Sequence, residues 1–215
     1  MNVPSHNLTM YYQQHNVHRG REKRLLTSMV EGSSVVPTVV ILNFGAHYSH
    51  ERTFANELQA FRHDLLSVLQ RQRAANIPTA QWLWLESFPQ HFANSGHRGS
   101  GYYDPGASLT ANFTAGQLRC APIADTKLYY AEDWRNRVAE QVLPELKRSS
   151  RVIPIAEALY DQWDAHVDYG DSQRAHQTAT DCTHYCLGSG VFRFVTHQIL
   201  GAVLNCLHGA CPMEL

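Results

Sequence analysis

The stretch from residue 38 to residue 86 constrains the fold most, because its hydrophobic period changes from that of a strand to that of a helix and back. Residues 38–44 read TVVILNF, a continuous β-branched and apolar run that is typical of a strand buried on both faces of a parallel sheet. Residues 51–75 then carry apolar side chains at helical spacing, and residues 81–86 read QWLWLE after a break at Pro78. A strand, a helix and a second strand in this order predict a right-handed parallel crossover and an α/β fold.

Two further helices and one further strand are predicted after this unit. Helical spacing covers residues 133–147 and the segment after Ser189. Residues 151–155 read RVIPI and predict a short strand at the edge of the sheet, because proline cannot donate a ladder hydrogen bond. The helix over residues 51–75 is expected to bury Phe54, Leu58, Phe61, Leu65, Leu66 and Leu69, and the last helix Val191, Val195, Ile199 and Val203.

The predicted organisation is one domain over residues 37–208, preceded by an irregular segment over residues 1–36 and followed by a tail over residues 209–215. The first segment is polar and basic in patches without a clean period, so it is not expected to anchor the core. Residues 93–125 are rich in Gly, Ser, Asn and Tyr and are too long for an ordinary connection, so we interpret them as a functional loop.

The charge balance excludes several classes of partner. The 215 residues contain 18 Lys and Arg against 19 Asp and Glu, whereas nucleic acids and anionic membranes select clustered cations. No uninterrupted apolar run approaches the roughly 18–20 residues of a membrane span, and residues 1–16 are too polar for a secretory signal. We therefore expect no nucleic-acid partner and no membrane span in this chain.

A candidate catalytic pair lies just before the last helix, where residues 181–187 read DCTHYCL. Asp181 stands three residues ahead of His184 on a predicted loop and can turn back to accept the Nδ1 proton of that histidine. Such a bond fixes the tautomer and leaves Nε2 free as a base, which is the role of the aspartate in a hydrolytic triad. The spacing therefore indicates a general base at His184.

Three blocks of the chain, taken together, resemble one protein family. Residues 40–48 read VILNFGAHY and resemble a strand ending in Asn-x-Gly-His-Trp, and residues 84–92 read WLESFPQHF and resemble a Trp-Arg-Glu-Thr-Ser-Pro-Gln-His-Phe block. Residues 181–186 resemble an Asp-Cys-Thr/Ser-His-Trp/Tyr-Cys signature. These blocks are typical of the PC-esterase branch of the SGNH (GDSL-like) hydrolases, which includes the plant trichome-birefringence-like polysaccharide O-acetyltransferases. The resemblance spans about residues 39–200.

The resemblance implies a three-layer, flavodoxin-like parallel sheet flanked by helices, and O-acetyltransferase or O-acetylesterase activity on carbohydrate. It implies His184 as the general base, Asp181 as its orienting carboxylate, and Asn43 and Gly45 near the oxyanion or substrate pocket. It also implies a glycan substrate, no metal and no cofactor other than an acetyl donor in the case of a transferase. By resemblance the protein would lie in the secretory pathway, in the Golgi lumen or outside the cell.

Two further histidines are expected at the same edge of the sheet. His47 and His91 belong to the first two blocks, which follow predicted strands, and open α/β folds bind ligands outside the strand carboxyl ends. Each is interpreted either as a pocket residue or as a hydrogen-bonded structural imidazole.

The chain departs from the family at the nucleophile. The family's serine belongs to a Gly-Asp-Ser motif at the end of a first strand, upstream of the Asn-x-Gly-His block. In this chain, neither that strand nor that motif is recognisable upstream of residue 43. We therefore expect a sheet without its first strand and weak or absent turnover. A literal Gly-Asp-Ser ends at Ser172, which is a low-ranking candidate nucleophile because no strand precedes it to aim the hydroxyl. Leu85 stands where the family has an arginine. This chain therefore lacks that positive charge and any contact that the arginine side chain makes in the family.

Five cysteines leave two chemical interpretations open. In an oxidising lumen they would form disulfides, with a bond at Cys182 or Cys186 bracing the catalytic loop and one cysteine left over for a partner in an upstream segment. Alternatively, soft ligands would bind zinc, although alternate-residue Cys-x-His-x-Cys is not the usual spacing. The zinc set would comprise Cys182, His184 and Cys186 with Cys206 or Cys211; the remaining cysteine is Cys120.

A non-catalytic glycan-binding protein is the third interpretation. Aromatic side chains beside the glycine-rich loop can stack on sugar rings, although strand tryptophans are more often core residues. The aromatic residues in question are Tyr102, Tyr103, Trp82 and Trp84. Two N-glycosylation sequons, at Asn7 and Asn112, agree with the secretory pathway.

Overall fold

A three-stranded parallel sheet with helices packed against both faces forms the centre of the protein. The computed structural model describes residues 2–3, 8–9, 39–43, 45, 48, 50–76, 81–92, 120–144, 151–166 and 182–208, the first two pairs by their backbone alone. The elements in chain order are β1 (Asn2–Val3), β2 (Leu8–Thr9), β3 (Val39–Leu42), α1 (Glu51–Ala74), β4 (Gln81–Leu85), α2 (Thr126–Glu132), α3 (Trp134–Val142), β5 (Val152–Ile153) and α4 (Gly190–Leu207), with 3-10 turns at Glu157–Leu159 and Trp163–Ala165. The predicted α/β class is confirmed.

The strand order of the sheet is β3-β4-β5, and both strand pairs are parallel. Val39 lies opposite Gln81, and Leu85 lies opposite Ile153. The parallel strand-helix-strand unit is therefore confirmed, and β5 lies at an edge of the described sheet as its proline indicated. Parallel pairing brings the carboxyl ends of the strands to one edge, where open α/β sheets place their ligand sites.

β4 separates two hydrophobic layers, because successive side chains of a strand point to opposite faces. Trp82 and Trp84 pack with α1 and α3 on one face. Leu83 and Leu85 pack with β5 and α4 on the other. Leu83 is 1% exposed, and full burial of such a side chain stabilises the fold by roughly 1.5–3 kcal/mol.

α1 buries one stripe of side chains against the sheet, as its spacing predicted. Glu51 in the first turn and Arg71 and Arg73 in the last turn complement the helix dipole. Asn76 then adopts φ 54°, a left-handed conformation that asparagine tolerates at helix ends. The buried side chains are Phe54, Leu58, Phe61, Leu65, Val68, Leu69 and Gln72, whereas Leu66 is only half-buried.

Two helices differ from the predicted elements. α2 has no predicted counterpart; it starts because the Asp125 carboxylate accepts a hydrogen bond from Leu128 N at 3.0 Å. α3 ends at Val142 instead of residue 147, because the Pro144 ring cannot continue a helix.

β3 is half-buried along its whole length, and its side chains pack on both faces of the sheet as predicted. Val40 and Leu42 pack against one hydrophobic layer, and Val39 and Ile41 pack against the other. β1 and β2 form an antiparallel pair inside the segment predicted to be irregular. Strands of two residues are too short to show the alternation on which a sequence-based prediction depends.

α4 buries one stripe of side chains and is otherwise largely exposed, and its length and composition also suffice for a membrane span. Arg193, His197 and Gln198 interrupt its apolar residues, so it is not an uninterrupted apolar run, and the absence of a membrane span stays a prediction. Val191, Val195 and Cys206 lie in the hydrophobic layer on the β4–β5 face of the sheet. Ile199, predicted to be buried, is half-buried.

Candidate functional site

Asn43 links the carboxyl ends of β3 and β4. Its Nδ2 donates to Leu85 O at 3.0 Å and to Glu86 O at 2.9 Å. Both amide hydrogens are therefore engaged with the end of β4, and an oxyanion role for this amide would require one of these bonds to break. The structure places Asn43 at the predicted edge but in a bracing contact.

Gly45 lies in a tight segment between β3 and α1 that an arginine holds from the side. Its φ of 137° strongly favours glycine, and a Cβ at this position would lie 3.3 Å from the Phe54 ring. The buried Arg135 of α3 donates from Nε to Gly45 O at 2.8 Å and from Nη2 to Tyr48 O at 3.1 Å. No signal in the sequence singles out Arg135, because its partners lie in a distant loop.

Residues 86 and 87 after β4 are fixed by two neighbouring elements. The Glu86 carboxylate accepts from Ile155 N and Ala156 N, both at 2.9 Å, which ties β4 to the chain that leaves β5. Ser87 N donates to the Asn136 amide oxygen at 2.8 Å. These bonds aim the following residues, 88–92, towards the second half of the site.

A buried carboxyl supports this arrangement. Asn136 Nδ2 donates to Asp133 Oδ2 at 3.1 Å. Burial raises the pKa of the Asp133 carboxyl to about 6, an effect that the nearby Arg135 partly opposes. Asp133 therefore joins the structural network behind the site, although nothing in the sequence pattern predicts it.

The segment after β4 meets the segment that contains His184. Gln90 Nε2 donates to Thr183 Oγ1 at 3.0 Å, and His91 N donates to Cys182 O at 3.1 Å. The second and third of the three sequence blocks are thus in direct contact. Because Asn43 contacts Glu86, all three blocks form one continuous set of contacts.

A disulfide joins Cys120 to Cys182 at the start of the His184 segment. The predicted bracing of this segment by a disulfide is confirmed for Cys182, whereas Cys186 carries a free thiol. Cys206 is also disulfide-bonded. A disulfide sulfur is not a thiolate ligand, so the proposed zinc set loses Cys182 and Cys206, and no metal-binding group of three residues occurs in the described part of the chain.

Every residue from 182 to 186 has a contact that fixes its backbone or side chain. Beyond the contacts of Cys182 and Thr183, His184 O lies 3.1 Å from His166 Nδ1, Tyr185 Oη donates to Pro89 O at 3.1 Å, and Cys186 N donates to Ala165 O at 2.8 Å. The His184 side chain is nevertheless exposed. The arrangement presents an imidazole to solvent from a fixed backbone.

His91 is fully buried and hydrogen-bonded. Of the two roles predicted for it, pocket residue or structural imidazole, this environment is that of a structural imidazole. Its Nε2 lies 2.9 Å from Tyr160 O and its Nδ1 lies 2.6 Å from Nε2 of His166. Burial lowers the pKa of His91, against the opposing effects of the Tyr160 carbonyl and Asp161. His166, to which the sequence pattern gave no role, is the partner that connects His91 to the His184 segment.

Several predicted residues lie outside the described residues. They are the predicted orienting carboxylate Asp181, the pocket histidine His47, the candidate nucleophile Ser172, and the tyrosines Tyr102 and Tyr103. The two remaining aromatic candidates for sugar stacking, Trp82 and Trp84, are core residues at 5% and 1% exposure, so they do not line a groove.

No family model, no curated protein and no solved structure matches this chain. Its function is therefore inferred from the chemistry of the site.

Proposed function

We propose that this chain performs SGNH-type acyl-ester chemistry on carbohydrate, as an O-acetyltransferase or O-acetylesterase of the PC-esterase type, with His184 as the general base. The observation that carries the proposal is the contact between all three sequence blocks. Asn43 binds the end of β4, Gln90 binds Thr183, and His91 N binds Cys182 O. Residues scattered over half the chain thus meet beside the sheet edge where α/β folds bind ligands.

The position of His184 supports a base in this site. Its ring is exposed while the backbone around it is held by neighbouring residues, which favours an imidazole that is oriented before substrate arrives. In the proposal the carboxylate of Asp181 orients the ring, an assignment that rests on the sequence spacing.

The proposed reaction follows the usual course of acyl transfer. His184 Nε2 removes a proton from an attacking hydroxyl, whose oxygen forms a bond to the acetyl carbonyl carbon. The ester C–O bond then breaks, and the departing sugar oxygen receives the proton from the imidazolium. The attacking hydroxyl would belong to Ser172 or to water, and attack by water predicts slow turnover.

The SGNH-like, three-layer architecture is part of the same proposal. It is supported by the parallel order β3-β4-β5, with α1 and α3 on one face and α4 on the other.

Acetate release tests the proposal. The full chain is incubated with an acetylated glycan and, separately, with an aryl acetate, beside His184→Ala, Ser172→Ala and the control His197→Ala, which removes an exposed histidine of α4. We expect His184→Ala to lower turnover about 10²- to 10⁴-fold and His197→Ala to leave it unchanged.

The remaining outcomes separate the alternatives. Loss of activity in Ser172→Ala as well as His184→Ala identifies Ser172 as the nucleophile. Turnover that survives His184→Ala removes the assignment of the base. Glycan binding without any release of acetate supports the non-catalytic interpretation.

A further inference from the structure

Two buried histidines form a continuous chain of contacts between two backbone carbonyls. His91 Nε2 lies 2.9 Å from Tyr160 O, His91 Nδ1 lies 2.6 Å from His166 Nε2, and His166 Nδ1 lies 3.1 Å from His184 O. His91 is 0% exposed and His166 is 4% exposed. The two contacts with carbonyl oxygens have ordinary hydrogen-bond distances, and the contact between the rings is shorter still.

Counting protons shows that two neutral rings cannot make these three bonds. A carbonyl oxygen only accepts, so the bonds to Tyr160 O and His184 O each need an N–H on the imidazole. The contact between the rings needs a third N–H, because two bare nitrogens repel each other. A neutral imidazole carries one N–H, so two neutral rings supply two.

We infer that His91 and His166 together hold one proton more than two neutral imidazoles, and that this proton fixes the His184 backbone through the bond from His166 to its carbonyl. His166 is thus a positioning residue for His184, and the bond depends on pH. The inference rests on the proposed function only where it treats His184 as the general base. The proton count on His91 and His166 holds whether or not the protein is an enzyme.

The surroundings assign the extra proton to His166. His91 is the more deeply buried of the two residues, and its environment disfavours the charged form, so the assignment gives it the neutral ring: its Nε2–H donates to Tyr160 O and its Nδ1 accepts from His166. His166 then carries both N–H groups. The Tyr185 ring lies against it with the centroids 4.0 Å apart, a distance at which an aromatic ring attracts a cation.

Loss of the extra proton affects the bond to His184 first. A neutral His166 that still donates from Nε2 to His91 has a bare Nδ1, whose lone pair then faces His184 O at 3.1 Å. This repulsion releases the carbonyl. Raising the pH is therefore expected to loosen the backbone at His184, while the disulfide at Cys182 and the Gln90 bond to Thr183 remain.

Four titratable groups of the described residues lie beside the pair: Asp161, His184, Tyr185 and Cys186. The negative charge of Asp161 raises the pKa of His91 and so opposes the effect of burial on that ring. Cys186 Sγ donates to His166 O at 3.3 Å. The third group is the imidazole of His184, the residue whose backbone carbonyl lies against His166 Nδ1. Burial raises the pKa of the Tyr185 phenol, so it stays protonated and donates to Pro89 O.

Nitrogen NMR of the full chain tests the inference. Histidine ring nitrogens are followed by two-bond ¹H–¹⁵N correlation from about pH 5 to 9, together with the backbone amide of Tyr185, which shares a peptide group with the His184 carbonyl. We expect three protonated nitrogens out of four at low pH. We also expect one ring to lose its Nδ1 proton at higher pH, with a parallel shift of the Tyr185 amide.

Variants separate the titration of the pair from that of other groups. His166→Asn retains an amide donor towards His184 O without a titratable ring, so the pH-dependent shift of the Tyr185 amide should disappear. His197→Asn on α4 should retain the wild-type shift. If His166→Asn fails to fold, the wild-type titration alone decides the question.

The opposite results are equally clear. Two singly protonated rings over the whole pH range, or a Tyr185 amide that does not follow the ring titration, would overturn the inference. Absence of acetate release with the expected spectra would overturn the proposed function alone.

Discussion

Gln90 Nε2 donates to Thr183 Oγ1 at 3.0 Å across 93 positions of the sequence, and this bond joins the segment after β4 to the segment that contains His184. Both residues belong to the sequence blocks on which the proposed function rests. The bond shows that these blocks, so far apart along the chain, meet in the fold.

Thr183→Val removes the acceptor of this bond at nearly constant volume. We expect a loss of about 1–2 kcal/mol in the free energy of unfolding, because the buried Gln90 amide loses an acceptor. Urea denaturation measures the loss. Thr196→Val is the matched control: its hydroxyl bonds within exposed α4, so its effect should stay within about 0.5 kcal/mol. Equal losses in the two variants would mean that the Gln90 bond adds nothing.

Removing the disulfide with Cys120→Ser and Cys182→Ser together should lower the free energy of unfolding by roughly 2–4 kcal/mol. The bond spans 62 positions, so its loss restores considerable freedom to the unfolded chain. Thermal denaturation in the absence of thiols gives the measurement. Cys186→Ser, which changes only a free thiol, should be close to wild type. A double variant as stable as Cys186→Ser would contradict the bracing role.

Gly45→Ala should destabilise the protein by about 1–3 kcal/mol, because alanine disfavours a φ of 137° and its Cβ would press on Phe54 and Arg135. Gly201→Ala is the natural comparison. That glycine is exposed in α4 with no atom within 4 Å of the new Cβ, so the change should stabilise by roughly 0.5–1 kcal/mol. Chemical denaturation of both variants should therefore give effects of opposite sign.

Asp133→Asn should change how stability depends on pH. Burial raises the pKa of the Asp133 carboxyl from 3.8 to about 6, so in this window the folded state keeps a proton that the unfolded chain has lost. The free energy of unfolding therefore falls as the pH rises from about 4 to 6, by up to about 3 kcal/mol from this group.

Urea denaturation at a series of pH values measures this contribution. Asp133→Asn cannot ionise, so it should flatten the decrease and leave the variant more stable than the wild type at pH 7. Asp164→Asn, at an exposed position of a 3-10 turn, should keep the wild-type slope. An unchanged slope in Asp133→Asn would show that other groups cause the decrease.

The sheet edge and the main elements were predictable because they depend on local patterns. The apolar run before Asn43, the stripe of α1 and the proline near β5 each determine an element within a few residues. Where these elements place Asn43 and Glu86 follows from parallel pairing, since strand carboxyl ends share one edge.

The buried polar contacts of the site were not predictable, because their partners lie far apart in the chain. Arg135 bonds to Gly45 O across 90 positions, and His91 meets His166 across 75. Neither arginine nor histidine at these positions belongs to a pattern whose spacing indicates a contact. Such contacts are decided by tertiary packing.

The bond between Cys120 and Cys182 also determines what a single proteolytic cut can do to this molecule. Cleavage anywhere between the two cysteines divides the polypeptide into two pieces, one with Asn43 and the other with His184, which remain covalently attached. A nicked preparation would run as one species on a denaturing gel until a reducing agent is added, and both halves of the site would stay tethered to each other throughout.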